Sequence, residues 1–331
     1  MKKTALAIIS ILAGVQFLHA APASASPPDW ANGVASAVEK VAPPIYPASR
    51  GKSANGLVQP KSQPKKASVR VQDRATVIDA ATNPVTKSVL SITVVNAAER
   101  RGQAANGSVV IGSSNPAVSF AVQSYEHGTR ISSVTSDPSG SLQTYELADG
   151  FAFTPTPEGG ALVVDKAGTA VGQLASPWAR DATGRDLPTS YTFEGSRMTQ
   201  SVDTSDRNTQ FPVVADPYFG IDLIDHAYWK FEVDGWVFKV FPAWWARSNA
   251  YSSHSYLVGA FGWDELYSKY ASAGLNTNLN GMRDQYICHQ VVVGVRDPNK
   301  ESWNLDEWRP DVGWWETVNS YCNPGGNRLF D

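Results

Sequence analysis

The fold of this chain is best read from Tyr228-Trp229-Lys230-Phe231-Glu232-Val233-Asp234-Gly235-Trp236-Val237-Phe238-Lys239-Val240-Phe241-Pro242. Apolar and polar residues alternate along this stretch, and the Asp-Gly pair at its centre is a strong signal for a two-residue hairpin turn. A turn at this pair sets three cross-strand partners: Val233 with Trp236, Phe231 with Phe238, and Trp229 with Val240. The sequence therefore predicts an antiparallel hairpin with one packed apolar face and one wet face.

Tryptophan and cysteine are concentrated in the same C-terminal region. Nine of the 11 Trp residues lie between Trp229 and Trp315, and the only two cysteines are Cys288 and Cys322. Such a density of indole rings indicates a compact, specifically packed module. Two cysteines without Cys-x-x-Cys spacing, in a chain that carries export signals, predict one structural disulfide. We assign this small, Trp-rich α+β module to residues 218–331.

Two helical segments are predicted within the module. Asp264 is a candidate N-cap for a helix from Glu265 to Ala273, which Gly274 would end. For residues 282–295 the apolar spacing begins as helical and ends in a run of β-branched residues. That pattern predicts a short helix or turn leading into a strand.

The region before this module, residues 68–217, has the pattern of a β-rich domain. Short runs of β-type composition are separated by Gly, Pro, Asn and Asp. The candidate strands are Val89 to Val95, Ser108 to Ile111, Val118 to Tyr125, Leu142 to Leu147, Ala161 to Val164 and Ser190 to Phe193. Asp-x-x-Gly begins at Asp137, Asp165 and Asp181, and it indicates type I turns rather than calcium loops, because one Asp per turn supplies too few ligands. The predicted fold class is mainly β with some α.

The N-terminal residues predict export. Lys2 and Lys3 precede an uncharged, mostly apolar run, and Ala23-Ser24-Ala25 is a cleavage site of the A-x-A type. These features are typical of a secretory signal peptide over residues 1–25, and no later segment is long and apolar enough to span a membrane. Residues 26–67 contain seven prolines and carry a net charge of +4, a composition that predicts a disordered linker. The expected location is extracellular, with or without association with the cell wall.

Three phrases of the C-terminal module resemble a known family. They are residues 282–290 (Met-Arg-Asp-Gln-Tyr-Ile-Cys-His-Gln), residues 303–313 (Trp-Asn-Leu-Asp-Glu-Trp-Arg-Pro-Asp-Val-Gly) and residues 322–326 (Cys-Asn-Pro-Gly-Gly). The module is similar to an actinobacterial family known as domain of unknown function 2599. Phe211-Pro212-Val213-Val214-Ala215-Asp216-Pro217 resembles a boundary phrase of secreted actinobacterial proteins. The resemblance implies a bacterial source and export, but no activity, because the family has none established.

The polar residues of the module supply weak candidates for catalysis. Acid–base chemistry needs a base, an orienting acid and a charge stabiliser together, and His289, Asp284 and Arg309 are the set we would expect to supply them. The alternative, which the sequence favours, is a structural role for the Arg and Asp residues and a packing role for His289. The sequence holds no metalloprotease, hydrolase, P-loop or dinucleotide-binding motif. No cofactor and no metal site is expected, and an enzyme is the less favoured class.

Adjacent aromatic pairs are the better candidates for function. If Trp244-Trp245 and Trp314-Trp315 lie on strands, one ring of each pair points outward and is available to stack on a cell-wall glycan, a lipid surface or a protein partner. Nucleic acid is not expected as a partner, because residues 218–331 hold 14 acidic and 9 basic residues. The predicted function is an extracellular or cell-envelope binding module of unknown specific activity. The alternatives are an antibacterial, bacteriocin-like payload released by proteolysis near Asp216-Pro217, and a secreted hydrolase.

Overall fold

The computed structural model of this chain describes residues 29–52, 56–62, 64–72 and 75–326, except for the side chains of residues 71 and 72. The predicted signal peptide, residues 1–25, lies outside the described residues. Strands account for 39% and helices for 22% of the residues, which confirms the predicted mainly β fold class. Within the described ranges, no helix is long and apolar enough to cross a membrane.

The elements form a β-rich region followed by a mixed region. The first region contains α1 (Asp29–Val41), β1 (Ser49–Arg50), β2 (Leu57–Val58), β3 (Ser68–Gln72), β4 (Ala75–Thr82), β5 (Val89–Val94), β6 (Ala97–Gln103), β7 (Val109–Ser113), β8 (Val118–Ser124), β9 (Gly128–Thr135), β10 (Leu142–Leu147), β11 (Phe151–Pro155), β12 (Ala161–Asp165), β13 (Ala170–Leu174), β14 (Ala179–Arg180), β15 (Thr189–Glu194), β16 (Arg197–Val202), β17 (Val213–Ala215) and β18 (Tyr218–Gly220). The second contains β19 (Ile224–Glu232), β20 (Gly235–Pro242), α2 (Trp244–Ser248), α3 (Ser255–Tyr270), α4 (Leu279–Cys288), α5 (Gly294–Arg296), β21 (Trp303–Asp306) and α6 (Trp314–Asn319).

Two large antiparallel sheets form most of the β-rich region, and β1 and β2 pair with each other in a separate two-stranded sheet. One has six strands in the order β15-β16-β10-β5-β4-β3. The other has ten, with β11-β12-β13-β18-β9-β8-β7-β6 as its main path and β14 and β17 joined to it through β9. Ile92 and Tyr145 from the first sheet and Phe120 and Val163 from the second lie in one shared apolar core. All six strands predicted for this region are present. Burial alternates with a period of two along β10 and β15, whereas the central residues of β5, β7 and β8 are buried in succession.

The three Asp-x-x-Gly segments are turns, as predicted. Asp165 Oδ1 accepts two backbone N–H groups, both at 2.9 Å, in the β12–β13 hairpin. Asp181 Oδ1 accepts the N–H of Thr183 at 2.9 Å. Asp137 caps a single 3₁₀ turn, Pro138–Gly140, that connects strands of different sheets. The first of the three segments is therefore a sheet-to-sheet turn and not a hairpin.

The linker predicted over residues 26–67 is not disordered where the structure describes it. Helix α1 packs on the ten-stranded sheet and buries Ala31, Val34, Ala35, Val38 and Val41. This spacing is that of an amphipathic helix. The prediction of disorder was wrong here because it was based on the proline content and net charge of the whole segment. These masked the one short run with helical apolar spacing.

After α1 the chain crosses to the C-terminal module, and we call residues 42–67 the strap. Lys52 N donates to Ala273 O of the module at 3.0 Å. Val58 packs against the apolar core of the module. Farther along, Lys65 N donates to a carbonyl of β8 at 2.9 Å. The described part of the strap therefore contacts both the module and the ten-stranded sheet.

Strands β19 and β20 form the predicted hairpin, but the turn begins one residue earlier than predicted. Glu232 pairs with Gly235, so Val233 and Asp234 are the loop residues. Gly235 is needed at the start of β20 because the ring of Trp308 lies only 2.9 Å from the position that a Cβ would take. The φ of +142° at Gly235 is also one that L side chains rarely adopt, so the backbone of the turn and the close approach of this ring both explain the glycine.

The earlier turn changes which residues pair across the two strands, but it does not change which face of the hairpin a strand residue occupies. Trp229 lies opposite Phe238 instead of Val240, and all three side chains are fully buried. The register differs by two residues, so each side chain keeps the face on which the alternation places it. Strand β21 pairs with β20, and the helices of the module cover the apolar face of this three-stranded sheet.

Both helix predictions for the module need correction. Helix α3 begins at Ser255, so Asp264 lies in its interior and is not an N-cap. Residues 279–296 are helical throughout, with a π-helical segment at His289–Val293 in place of the predicted strand. This segment packs on α3, where Gly259 would place a Cβ only 3.3 Å from Gln290 Cβ. Tertiary packing against α3 thus outweighs the β propensity of the valines.

The predicted disulfide is confirmed. Cys288, the last residue of α4, is bonded to Cys322 after α6, with a Cα–Cα distance of 5.5 Å. Both residues are fully buried. The bond ties the segment that follows α6 to the C-terminal end of α4.

A charged cluster is buried where the module meets the large sheet. Lys269 Nζ lies 2.9 Å from Asp222 Oδ1 and 2.5 Å from Glu265 Oε1, and all three side chains are at most 5% exposed. Asp222 also accepts hydrogen bonds from the hydroxyls of Tyr218, at 2.7 Å, and of Tyr46 on the strap. The two carboxylates raise the pKa of Lys269 despite its burial, and Lys269 lowers the pKa of Asp222. Strap, sheet and module therefore share one desolvated ion cluster.

The boundary phrase at residues 211–217 lies inside the sheet. β17 pairs with β9 and β14, and β18 pairs with β9 and β13. Asp216 between them is fully buried and accepts hydrogen bonds from Trp178 N at 3.0 Å and Gln200 Nε2 at 3.1 Å. Proteolysis at Asp216-Pro217 would therefore require the sheet to open first.

Stability is expected to fall as the pH rises from about 4 to about 7, because burial raises the pKa of Asp216 to about 7. The folded protein then binds a proton that the unfolded chain, with an ordinary Asp pKa near 3.8, has released. Asp216→Asn should remove this slope, so that its stability relative to the wild type rises between pH 5 and pH 8, on the order of 3 kcal/mol. Urea unfolding at several pH values measures the difference. The exposed Asp149→Asn variant is the control, and an unchanged slope in Asp216→Asn would assign the pH dependence elsewhere.

Candidate functional site

A cleft of about 390 Å³ lies between the ten-stranded sheet and the C-terminal module. The sheet contributes the β11–β12 turn and the end of β13, while the module contributes the end of β20, the start of α2 and the loop after α5. We call it the Trp244 cleft, after the aromatic ring on its wall. Its volume falls within the range of about 300 to 1,000 Å³ that is usual for small-ligand sites.

The first Trp pair is divided between the core and the cleft. Trp245 is 1% exposed, and its Nε1 donates to Asp222 O at 2.7 Å. Trp244 is 39% exposed and lines the cleft. The pair lies on helix α2 and not on a strand, so the predicted local structure is wrong. Neighbouring residues of a helix nevertheless point in different directions, and one ring of the pair does face outward.

Arg247 holds the module side of the cleft together. Its guanidinium donates to Pro242 O at 3.1 Å, to Lys300 O at 2.7 Å and to Glu301 O at 2.7 Å. These bonds tie α2 to the loop after α5, which places Glu301 and Asn299 in the wall. Burial lowers the pKa of this guanidinium, which still lies far above neutrality as for any arginine. The donors of Arg247 are thus used for structure rather than left for a ligand.

Carboxylates and amides supply the remaining polar surface of the cleft. Glu158, Asp225 and Glu301 line it together with Gln173 and Asn299. The side chains of Glu158 and Glu301 are exposed and form no ion pair with any described residue. The wall therefore combines one aromatic face with several hydrogen-bond acceptors and donors.

An aromatic strip continues from the cleft along the outer face of the β19–β20 hairpin. Phe241 lines the cleft, and the ring of His226 stacks on it with centroids 4.0 Å apart and planes at 13°. Tyr228 follows, 5.7 Å from Phe241. The alternation of the hairpin places Phe241 and Tyr228 on its wet face, so the sequence carried a signal for this strip that the tryptophans obscured.

The second Trp pair lies on α6 and does not line the cleft. Trp315 is 77% exposed, whereas Trp314 packs edge-on against Tyr256 with ring centroids 5.3 Å apart. Tyr321 is also exposed and lies under the guanidinium of Arg296 at 4.8 Å. These rings form a separate aromatic surface, and again the pair is on a helix instead of the predicted strand.

The three residues suggested for catalysis have separate partners. His289 is buried, and its Nδ1 donates to Gln285 O at 2.7 Å. Burial lowers the pKa of His289 to about 4, so the ring is neutral at physiological pH. Asp284 lies 3.7 Å from Arg283. The described residues include no hydrogen bond or ion pair between His289 and Asp284, so Asp284 does not orient the imidazole.

Arg309, the proposed charge stabiliser, has a structural environment. Its Nε lies 2.5 Å from Asp306 Oδ2. Nη1 donates to Pro324 O at 3.1 Å and to Gly326 O at 2.7 Å. The guanidinium therefore fastens the chain after the disulfide to the end of β21. Among the described residues, no group of three or more His, Cys, Asp or Glu side chains is placed to hold a metal ion.

The geometry defines a mainly β protein whose disulfide-bonded α+β module forms an aromatic-walled cleft with the large sheet. The model of a family described as "Protein of unknown function (DUF2599)" matches residues 224–325. This match confirms the resemblance indicated by the three C-terminal phrases. It covers the module from the first residue of β19 to the residues after the disulfide.

Two mycobacterial proteins are similar to part of the chain. The uncharacterized protein Mb0487 of Mycobacterium bovis and the uncharacterized protein Rv0477 of Mycobacterium tuberculosis are each 33% identical to it over 103 residues, which is 31% of this chain and 66% of the relative. The chain thus spans 66% of the length of the curated relatives that it matches. Actinobacterial relatives agree with the source that the resemblance implies. No solved structure matches the chain.

Proposed function

We propose that this protein is exported and binds a glycan of the cell envelope in the Trp244 cleft. The observation that carries the proposal is the exposed ring of Trp244, held in a cleft of about 390 Å³ among polar side chains. An indole left 39% exposed is a poor arrangement for stability alone, since its burial would be favourable. A ligand that covers the ring restores that burial.

The chemistry of the wall suits a sugar. One face of a pyranose ring is rich in C–H groups and packs on an aromatic plane, while its rim of hydroxyls requires both donors and acceptors. Gln173 and Asn299 supply both, and Glu158 and Glu301 supply acceptors. This pairing of one apolar plane with several polar groups supports a glycan better than a wholly apolar ligand.

The aromatic strip extends the site beyond one sugar. Phe241, His226 and Tyr228 stack in sequence away from the cleft. Because these rings stack on one another, a polysaccharide lying along the strip would meet their edges and the polar atoms of His226 and Tyr228, without a new pocket for each unit. The proposal therefore concerns a polymer, for which the cleft fixes one unit and the strip adds contacts.

Export is supported by the N-terminal sequence and by the disulfide. Lys2, Lys3 and the A-x-A site at Ala23-Ser24-Ala25 have the order of a cleavable signal peptide. A buried disulfide is typical of oxidising compartments outside the cytoplasm. An envelope glycan would be accessible to a protein in that location.

Trp244→Ala is expected to weaken glycan binding about tenfold, because removal of one stacked ring costs roughly 1 to 2 kcal/mol of binding free energy. The mature protein would be titrated with β-1,4-linked N-acetylglucosamine oligosaccharides by calorimetry and incubated with purified insoluble wall glycan in a pull-down. Trp315→Ala is the matched control, since it removes a more exposed indole outside the cleft. Equal binding by the two variants, or no binding by the wild type, would refute the proposal.

A further inference from the structure

A second site, independent of the Trp244 cleft, lies where the strap and α1 meet the ten-stranded sheet. A cavity of about 420 Å³ there is lined by Ser108 and Gln123 from the sheet, by Glu39 from α1 and by Lys65 and Lys66 from the strap. The same two lysines line a neighbouring cavity of about 420 Å³. The neighbouring cavity is also lined by Asp79 and Glu126, so we confine the name strap cavity to the first one, whose charged side chains are Glu39, Lys65 and Lys66.

Two buried polar atoms on the wall are unpartnered. Ser108 Oγ and Gln123 Oε1 have no hydrogen-bond partner among the described residues, and Ser108 is only 2% exposed. Folded proteins leave few such atoms, because a buried hydroxyl or carbonyl without a partner destabilises the fold. Both residues line the same cavity, and because the two atoms are covered, a ligand hydroxyl would reach them after rotation of the Ser108 and Gln123 side chains.

The charges of the strap cavity come from different elements. The Lys65 backbone is held by β8, and its Nζ donates only to Glu126 O, at 3.3 Å. Lys66 is exposed and forms no ion pair with any described residue. Glu39 is the opposing charge, and its Oε1 accepts from Asn106 Nδ2 at 2.7 Å. The cavity therefore offers two ammonium groups beside a set of neutral and anionic acceptors.

We propose that the strap cavity binds a polyol phosphodiester. The two lysines match the single negative charge and exposed oxygens of a phosphodiester. Gln123 Oε1 and the Glu39 carboxylate accept hydrogen bonds from polyol hydroxyls, and Ser108 Oγ either donates or accepts. A simple inorganic anion would leave the acceptors unsatisfied, and a cation would be repelled by the lysines. The mixed ligand is the one that meets the two lysines, the two acceptors and the Ser108 hydroxyl together.

This ligand chemistry has two natural sources outside a bacterial cell. Polyol phosphate polymers of the envelope contain it as their repeat, and anionic phospholipids carry it as a headgroup. The soluble diester glycerophosphoglycerol represents the shared group without acyl chains. Vesicles of phosphatidylglycerol, with phosphatidylcholine vesicles as reference, represent the membrane source.

The test uses the full mature protein, with glycerophosphoglycerol titrated by calorimetry and both vesicle types assayed by flotation. The Lys65→Gln, Lys66→Gln double variant is expected to bind the diester about tenfold more weakly. The Lys40→Gln, Lys61→Gln double variant removes the same charge from neighbouring residues that do not line the cavity and should bind as the wild type. Ser108→Ala should bind several-fold more weakly while melting at the same or a higher temperature, because it removes a buried unpartnered hydroxyl.

Each outcome bears on the proposal. Binding of the soluble diester that depends on Lys65, Lys66 and Ser108 supports it, and flotation with phosphatidylglycerol vesicles in addition assigns the headgroup as a source. Equal losses in the two double variants would show unspecific charge attraction and overturn the site. Full binding by Ser108→Ala, or no binding of glycerophosphoglycerol at millimolar concentration, would also overturn it. None of these results depends on Trp244.

Discussion

Lys269→Met is expected to lower the free energy of unfolding by about 3 to 5 kcal/mol, because it leaves the carboxylates of Asp222 and Glu265 buried without their cation. Urea denaturation followed by tryptophan fluorescence measures the change. The exposed Lys166→Met variant is the control and should change stability by less than about 0.5 kcal/mol. A loss of under 1 kcal/mol in Lys269→Met would show that the cluster is not held as a desolvated ion group.

A second variant separates charge from packing at this cluster. Adding Asp222→Asn and Glu265→Gln to Lys269→Met removes the uncompensated charges and should recover part of the lost stability.

The directions of the pKa shifts of Asp222 and Lys269 also set the pH range in which the cluster stabilises the fold. Asp222 contributes stability above its ordinary pKa of 3.8, which is lost as the pH falls through its lowered folded value. Lys269 contributes below its ordinary pKa of 10.5, and that contribution is lost as the pH rises through its raised folded value.

Loss of the disulfide is expected to be the other large effect. Cys288 and Cys322 are 34 residues apart, and closing a loop of that length is worth about 4 kcal/mol in the chain-entropy model. Cys322→Ser should therefore lower the melting temperature of the module by about 15 °C, as should reduction of the wild type. Differential scanning calorimetry of the mature protein measures this shift.

The matched variants for the disulfide are Cys288→Ser and the double replacement. Each breaks the same bond, so the double variant should melt within a few degrees of either single variant, and its effect should be far from additive. Reduction should leave the melting of the double variant unchanged. Additive losses would show that the two side chains stabilise the module through packing and not through their bond.

The parts of the fold that follow local patterns were predictable. Runs of β-type composition between turn residues identified the six strands of the β-rich region. Alternation placed Trp229 and Phe238 on the buried face even though the turn was misplaced by one residue. The disulfide followed from the cysteine count and from the export that the N-terminal sequence predicts. A period-two pattern and a pair of cysteines remain informative without knowledge of the surrounding structure.

The parts that depend on distant residues were not predictable in the same way. The run Val291–Val293 reads as a strand, yet it is helical because Gly259 of α3 lets the segment pack closely. Composition hid the short amphipathic pattern of α1. Trp244 was predicted from the sequence as a binding residue, but Glu158 and Gln173 were not. They line the same cleft only because the ten-stranded sheet packs against the module. The sequence around Glu158 and around Gln173 contains no local pattern that indicates this packing.

The strap also has a consequence for the order in which the chain reaches its final state. Tyr46 bonds to Asp222, 176 residues later, and Lys52 bonds to Glu307, 255 residues later. A chain that emerges from its N-terminus makes these early segments long before their partners exist. The strap therefore cannot dock until these partner residues have been synthesised. Contacts between residues so distant in sequence also form slowly, because the entropy of the closed loop is lost before the contact energy is gained. Docking of the strap is thereby tied to the arrival of residues 222–307, which makes this early segment one of the later ones to reach its final place.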